Sequence, residues 1–277
     1  MRLHDGAYGT LLAGHLRGDE TADDLCLREG SLVIDAHRAY IDAGARAIQT
    51  NAFLAHLRNT RRRRDALQLA ALECAREAAA GWSGAESGTG AGAGEGESAI
   101  AVFATIGPAG DEPQAYWRDL ETVLGVETTG VICETLASRA QADAWLSAWH
   151  DVASGLTSVE VLVGCTINPS AGLDACRWVL ELATELPAHL QLGLNCCEGP
   201  QGLRPYLEQL SEIRGSVWTM PSAGIPVNGL TEAASWPLAE GAAWAEQVAE
   251  LVEDLPVTAV GGCCGTHPES IERFAVI

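Results

Sequence analysis

The sequence contains no lysine, so its fixed positive side-chain charge comes from 17 arginines alone, set against 37 aspartates and glutamates. The formal net charge of -20 argues against a general affinity for nucleic acid or an anionic membrane surface, because both are polyanions. No apolar run reaches the roughly 18 residues that would read as a membrane span. No strict G-x-G-x-x-G opens a helix, which rejects a dinucleotide-binding fingerprint. The opening residues Met1-Arg2-Leu3-His4-Asp5-Gly6 do not read as a secretory leader. Without one, the nine cysteines point to a reducing compartment, read as the cytoplasm, where thiols stay available for chemistry.

What is present is ample core material: 277 residues, 47% of them hydrophobic. Short apolar runs read as strands near Asp5 and at 45–50, 100–105, 129–134, 159–165, 190–194, 216–220 and 257–260. Between most of them lie helical patterns, at 31–42, 61–80, 138–153, 172–185, 201–213 and 239–253. Alternation of this kind over this length predicts an α/β fold, a single-domain (β/α)8 TIM barrel, with an open doubly wound sheet as the competitor. The stretch 81–98, rich in Gly, Ala, Ser and Glu, is expected to be a flexible surface loop. The run Arg61 to Arg64 reads as a solvated helix face.

The chemistry concentrates near the C-terminus. Gly261-Gly262-Cys263-Cys264-Gly265-Thr266 follows a buried strand, and Thr266-His267-Pro268-Glu269 reads as a capping box that starts a helix at about Thr266. Neighbouring side chains in a regular strand point to opposite faces, but the flanking glycines let the backbone leave strand geometry and turn both sulfurs to one point. A second pair, Cys196-Cys197, follows another apolar strand. Thiolates converging from two strand ends suit a soft metal, zinc first. Inert buried residues and redox chemistry are the other readings of such pairs. Cys26, Cys74, Cys133, Cys165 and Cys176 read as small buried residues. In a barrel, loops at the C-terminal strand ends build the active site. Asp5, Asn51, Glu134, Asn195, Cys196, Cys263 and Cys264 all fall at or just past such ends, so one mouth can gather them. Asp5 reads as a ligand-binding acid or a turn residue, and Glu134 closes an apolar strand where a solvated carboxylate is out of place.

Taken in order, Asp5-Gly6-x-x-Gly9-Thr10, His37-x-x-Tyr40-x-x-Ala43-Gly44-Ala45, Thr50-Asn51-Ala52-Phe53, Glu134-Thr135, Gly193-Leu194-Asn195-Cys196-Cys197 and Gly261-Gly262-Cys263-Cys264-Gly265-Thr266 resemble the motifs of the homocysteine S-methyltransferase family. The resemblance implies a zinc-dependent barrel that methylates the thiol of L-homocysteine to give methionine, from a small sulfonium or ammonium donor. It implies Cys196, Cys263 and Cys264 as the Zn2+ ligands, with Cys197 a neighbour. Asp5, with Gly6 beside it, and Glu134 would hold the substrate's ammonium group, and Asn51 and Asn195 would line the pocket. The chain departs from the family at Ala52, where Thr is usual, and at Pro221-Ser222-Ala223-Gly224, where Pro-Asn-x-Gly is preferred. The segment from Ala109 to Val126 is also shorter than in relatives. Another thiol or selenol as acceptor, a non-catalytic zinc-binding barrel, and a structural zinc on all four of Cys196, Cys197, Cys263 and Cys264 are the competing expectations.

Overall fold

Apolar and β-branched runs form strands at each predicted place. In the computed structural model these are β1 (Arg2–Leu3), β2 (Ala47–Gln49), β3 (Ala101–Ile106), β4 (Gly130–Leu136), β5 (Glu160–Cys165), β6 (Leu190–Cys196), β7 (Val217–Pro221) and β8 (Val257–Val260). The structure describes residues 1–57, 60–82, 99–126, 128–153, 156, 158–168, 172, 176–227, 236–238 and 241–277. The loop expected at 81–98 therefore lies almost wholly outside the described residues. All eight strands run parallel in the order β1-β8-β7-β6-β5-β4-β3-β2. A parallel bridge between His4 and Ala47 joins the two outermost strands, with Arg46 N–H donating to Leu3 O at 2.8 Å and Asp5 N–H to Ala47 O at 3.1 Å. The sheet thus closes on itself as a (β/α)8 barrel.

The helices are α1 (Tyr8–Leu11), α2 (Leu25–Arg28), α3 (Gly30–Asp42), α4 (Arg61–Ala80), α5 (Pro113–Leu124), α6 (Arg139–Ala153), α7 (Arg177–Glu185), α8 (Pro200–Arg214), α9 (Ala242–Asp254) and α10 (Pro268–Ala275). Each of the longer ones buries one apolar stripe against the barrel, as α3 does with Val33, Ile34, Tyr40 and Ile41. None of the described helices is long and apolar enough to cross a membrane.

Two local readings change. The last helix begins at Pro268, with His267 as its cap and Ser270 as the reciprocal partner. Thr266 is unavailable as a cap because its hydroxyl donates to Cys263 O at 2.6 Å. The arginine run is also not uniformly solvated. Arg61, Arg62 and Arg63 are exposed, but Arg64 turns inward to a forked ion pair with the buried Asp119 of α5.

Inside the barrel a separate cluster forms from Ala47, Phe103, Ile132, Leu162, Trp218, Met220 and Ala259. Its two large rings fit because neighbouring strands carry glycine. A Cβ at Gly193 would sit 2.6 Å from Trp218 Cε2, one at Gly164 2.7 Å from Trp218 Cη2, and one at Gly130 2.6 Å from Phe103 Cδ1. Such approaches are far inside van der Waals contact, and the interior is too densely packed for the rings to withdraw. Gly193→Ala and Gly164→Ala should each destabilise the fold by about 1–3 kcal/mol. The urea midpoint is then expected to fall with an unchanged slope; a wild-type midpoint in both variants would show that Trp218 has room to move.

Candidate metal centre

The centre is assembled by backbone strain at two strand ends. Among the described residues the non-glycine positions with positive φ are Thr135 at +64°, Cys196 at +64° and Cys197 at +65°. Each costs about 1–3 kcal/mol, and such residues persist only where surrounding contacts hold them. Here such contacts are present. Cys197 Sγ receives the Ile167 N–H at 3.2 Å, lies 3.3 Å from the Thr166 hydroxyl, and is 3.3 Å from Asn195 O. With Cys197 anchored to the end of β5, the preceding left-handed residue swings the Cys196 sulfur across to the β8 loop.

That loop is held from every side. Gly262 N–H donates to Asp5 O at 2.8 Å, Cys263 N–H to Pro221 O at 3.0 Å, and Ala223 N–H to Cys264 O at 2.8 Å. Gly265, at φ +79°, donates its N–H to the Thr10 hydroxyl at 3.1 Å. As a result Cys196 Sγ lies 2.7 Å from Cys263 Sγ and 3.8 Å from Cys264 Sγ, and the three sulfurs all fall within 4.8 Å of one another. The convergence expected of the two strand ends is thus met. All nine cysteines are free, and the other five are buried as packing residues.

Three soft sulfur donors in one half-buried cluster fit zinc better than a hard cation. Zinc–sulfur bonds of about 2.3 Å at tetrahedral angles place sulfurs about 3.8 Å apart, the spacing of Cys196 and Cys264 here, whereas Cys196 and Cys263 stand closer at 2.7 Å and would have to part to seat an ion. Hydrogen bonds from Cys196 and Cys263 push the Cys264 thiol down, and the same bonding pushes Cys263 up, so the three thiols share their protons as one group. Ser222 N–H donates to Cys196 O at 3.1 Å, fixing the backbone that carries this sulfur. Cys197 stands outside the group, its sulfur already occupied.

The predicted carboxylates meet at the same mouth. Glu134 lies in a β-bulge of β4, where the register with β5 shifts between Cys133 and Leu136. Asn195 clamps this bulge: its Oδ1 accepts the Thr135 N–H at 2.9 Å, and its Nδ2 donates to Thr135 Oγ1 at 2.8 Å and Glu134 Oε2 at 3.1 Å. The Glu134 carboxyl is pushed up to about 8, first by burial and then by the charges of Cys196 and Asp5. Glu134 is thus within electrostatic reach of Cys196 and Cys264 on one side and of Asp5 on the other. Asp5 is wholly buried and is pushed up to about 7 by that burial, against the hydrogen bonds it receives. A buried Asp5 and a half-buried Glu134, both reluctant to ionise alone, make a site that a cation would stabilise.

The remaining predicted residues serve the frame. Gly6 is pressed so close that a Cβ there would stand 2.7 Å from Thr266 Oγ1 and 3.0 Å from the Tyr40 ring. Asn51 donates to Ala22 O at 2.8 Å and approaches Cys26 Sγ at 3.6 Å, tying the 22–26 segment to the end of β2. Sequence reasoning gave no role to Thr10, Thr135 or Ser222, whose partners lie tens to hundreds of residues away. The small hydroxyl residues beside each glycine or cysteine turn were the available signal.

Comparison with known proteins points the same way. The family model described as Homocysteine S-methyltransferase matches residues 2–276. The methionine synthase of Mycobacterium tuberculosis (strain ATCC 25618 / H37Rv) is 28% identical over 301 residues, covering 99% of this chain and 24% of its own length. That of Mycobacterium leprae (strain TN) is 28% identical over 304 residues, with the same coverage of 99% and 24%. The chain thus spans about a quarter of the length of the curated relatives it matches. Among solved structures, the homocysteine methyltransferase MmuM from Escherichia coli in its metallated form aligns with a TM-score of 0.72 at 18% identity, covering 99% of this chain and 95% of that one. Its apo form aligns with a TM-score of 0.70 at 19% identity, covering 99% and 94%. This likeness shows the shared fold.

The cluster yields a stoichiometric expectation. The parent chain and Cys197→Ser should each retain about one zinc, while Cys196→Ser, Cys263→Ser and Cys264→Ser lose it with circular dichroism unchanged. Metal analysis after gel filtration reads this directly. Zinc loss in Cys197→Ser would instead support the four-cysteine site.

Proposed function

The chain belongs to the homocysteine S-methyltransferase family, whose members transfer a methyl group to the sulfur of homocysteine, and we propose that it does so through a Zn2+ ion held by Cys196, Cys263 and Cys264, using a small sulfonium or ammonium compound as donor. The observation that carries this reading is the meeting of three thiols, from the ends of β6 and β8, at the C-terminal mouth of the barrel, with the buried Asp5 and the half-buried Glu134 at neighbouring strand ends. When bound, zinc supplies the Lewis acidity that keeps an acceptor thiol ionised at neutral pH, where a free thiol with a pKa of about 8.5 is mostly protonated.

The chain's own residues orient the partners. Glu134 and Asp5 bind the ammonium group of homocysteine, and its charge relieves the cost of ionising two carboxylates that their surroundings push up. Asn195 fixes the direction of Glu134 and, through its neighbour Cys196, links the amine end of the substrate to the sulfur end. Holding amine and sulfur at two fixed points sets the direction from which a methyl group can approach, which is the entropic part of the catalysis. Three thiolate ligands and two carboxylates give the mouth a negative potential that favours a cationic donor. The thiol-rich centre also calls for a reducing compartment, which we take to be the cytoplasm.

Two measurements test the reading. A screen of isotope-labelled donors with homocysteine and with other thiols, run with and without a zinc chelator, should give labelled methionine only where the metal is retained. Transfer that persists in metal-free protein would defeat the zinc role, and a stronger preference for another thiol or selenol would move the acceptor. Glu134→Gln should raise KM for homocysteine about 10- to 100-fold, the loss of a charge-assisted hydrogen bond, with zinc content unchanged. If that variant loses zinc with KM intact, Glu134 belongs to the metal instead.

A further inference from the structure

Behind Asp5 the described structure holds a buried chain of polar groups that the proposed reaction has not used. Asp5 Oδ2 accepts the Gln49 N–H at 2.7 Å and the Tyr8 hydroxyl at 2.5 Å, and Asp5 Oδ1 accepts from Gln49 Nε2 at 3.2 Å. The Tyr8 oxygen lies 2.6 Å from His37 Nδ1, and the far ring nitrogen, Nε2, has no partner among the described residues. His37 is wholly buried and Tyr8 nearly so, and their rings meet edge-on with centroids 4.5 Å apart. Tyr40, three residues after His37 on the same face of α3, packs on Tyr8 and donates its hydroxyl to Thr266 O at 3.2 Å. The row is therefore braced between α3 and the cysteine loop.

The hydroxyl of Tyr8 has one proton and two neighbours that compete for it. If Asp5 is ionised it can only accept, so Tyr8 must donate to it, and the Tyr8 oxygen must then receive a proton from His37 Nδ1. His37, which burial keeps neutral by pushing its ring down to about 3, can meet that demand only as the Nδ1–H tautomer, leaving Nε2 bare. If Asp5 is protonated, its own hydroxyl can turn to Tyr8, the Tyr8 proton points to His37 Nδ1, and the ring must carry its proton on Nε2. The direction of the whole row thus follows the charge on Asp5. An ionised carboxylate has about four acceptor positions, and the three donors named here leave one on Oδ1.

We propose that Tyr8 and His37 are positioning residues that pin Asp5 in its ionised form and aim its one remaining acceptor position at the substrate's ammonium group. This rests on the assignment of Asp5 to the ammonium. Neither residue touches the reacting sulfur, so both act on substrate capture and leave the transfer step alone.

The test separates the two assignments by a KM-against-kcat split, with zinc content measured throughout. Asp5→Asn is expected to raise KM for homocysteine. Tyr8→Phe, which removes one donor to a buried carboxylate, should raise it about tenfold or more with kcat within about twofold of the parent. His37→Leu should follow Tyr8→Phe, while His37→Asn, which keeps a donor at the Nδ1 position, should stay near the parent. Nitrogen NMR of histidine-labelled parent protein adds a readout that needs no variant: His37 should be the Nδ1–H tautomer with homocysteine bound. An elevated KM in Asp5→Asn with a normal one in Tyr8→Phe would overturn the positioning role and leave the ammonium assignment standing. A normal KM in Asp5→Asn would overturn both. Equal losses of kcat and zinc in Tyr8→Phe, or an Nε2–H ring in the complex, would likewise overturn it.

Discussion

The structure depends on two consecutive residues held in the left-handed region at the end of β6. An extended Cys196 would hold its sulfur perpendicular to the sheet, as strand alternation dictates, and the pair from the β8 loop would lack its third partner. The turn costs several kcal/mol by general rules, and it is offset by bonds to a residue that is itself outside the cluster. Cys197 is thus a cysteine whose value is mechanical: a sulfur acceptor of the right length to catch the Ile167 N–H and the Thr166 hydroxyl. Strain, anchor and candidate ligand sit in two successive residues at the end of β6, Cys196 and Cys197.

Asn195 performs a second joining at the same point. Its side-chain amide uses both ends on the β4 bulge, so the strand that presents Cys196 also holds the strand that presents Glu134. The barrel interior makes this arrangement stiff. Trp218 fills the space between β5, β6 and β7 only because Gly164 and Gly193 lack side chains, and Gly164 also makes room for Asn195 Oδ1. The packing that fills the barrel and the hydrogen bonds that shape its mouth therefore share residues.

Much of this was legible in the sequence, and the reason is period and punctuation. Strands such as 257–260 and 190–194 are short apolar runs ended by glycine or cysteine, and helices such as α4 run unbroken between clear signals. The cysteine convergence followed from glycines beside Cys263 and Cys264. The parts that stayed hidden depend on partners distant in sequence. Nothing local says that Thr135, a β-branched residue, adopts a positive φ, since that choice is enforced by Asn195 some 60 residues later. The Thr266 cap failed because a carbonyl three residues back competes for the same hydroxyl. Arg64 looked like its three neighbours until α5 brought Asp119 beneath it. Choosing Cys196 over Cys197 as the ligand came from family resemblance, because spacing treats the two alike.

The pairing of β1 with β8 has a consequence for how the protein is made. Asp5 and Gly262 are bonded backbone to backbone, yet they are synthesised about as far apart in time as this sequence allows. During translation the ribosome has released Asp5, Glu134 and Cys196 well before Cys263 and Cys264 emerge. A nascent chain stalled short of them can offer an ion only one of the three sulfurs. Under the proposed zinc reading, loading is thereby deferred until β8 has docked, and an ion that arrives early finds no complete seat to misfold around.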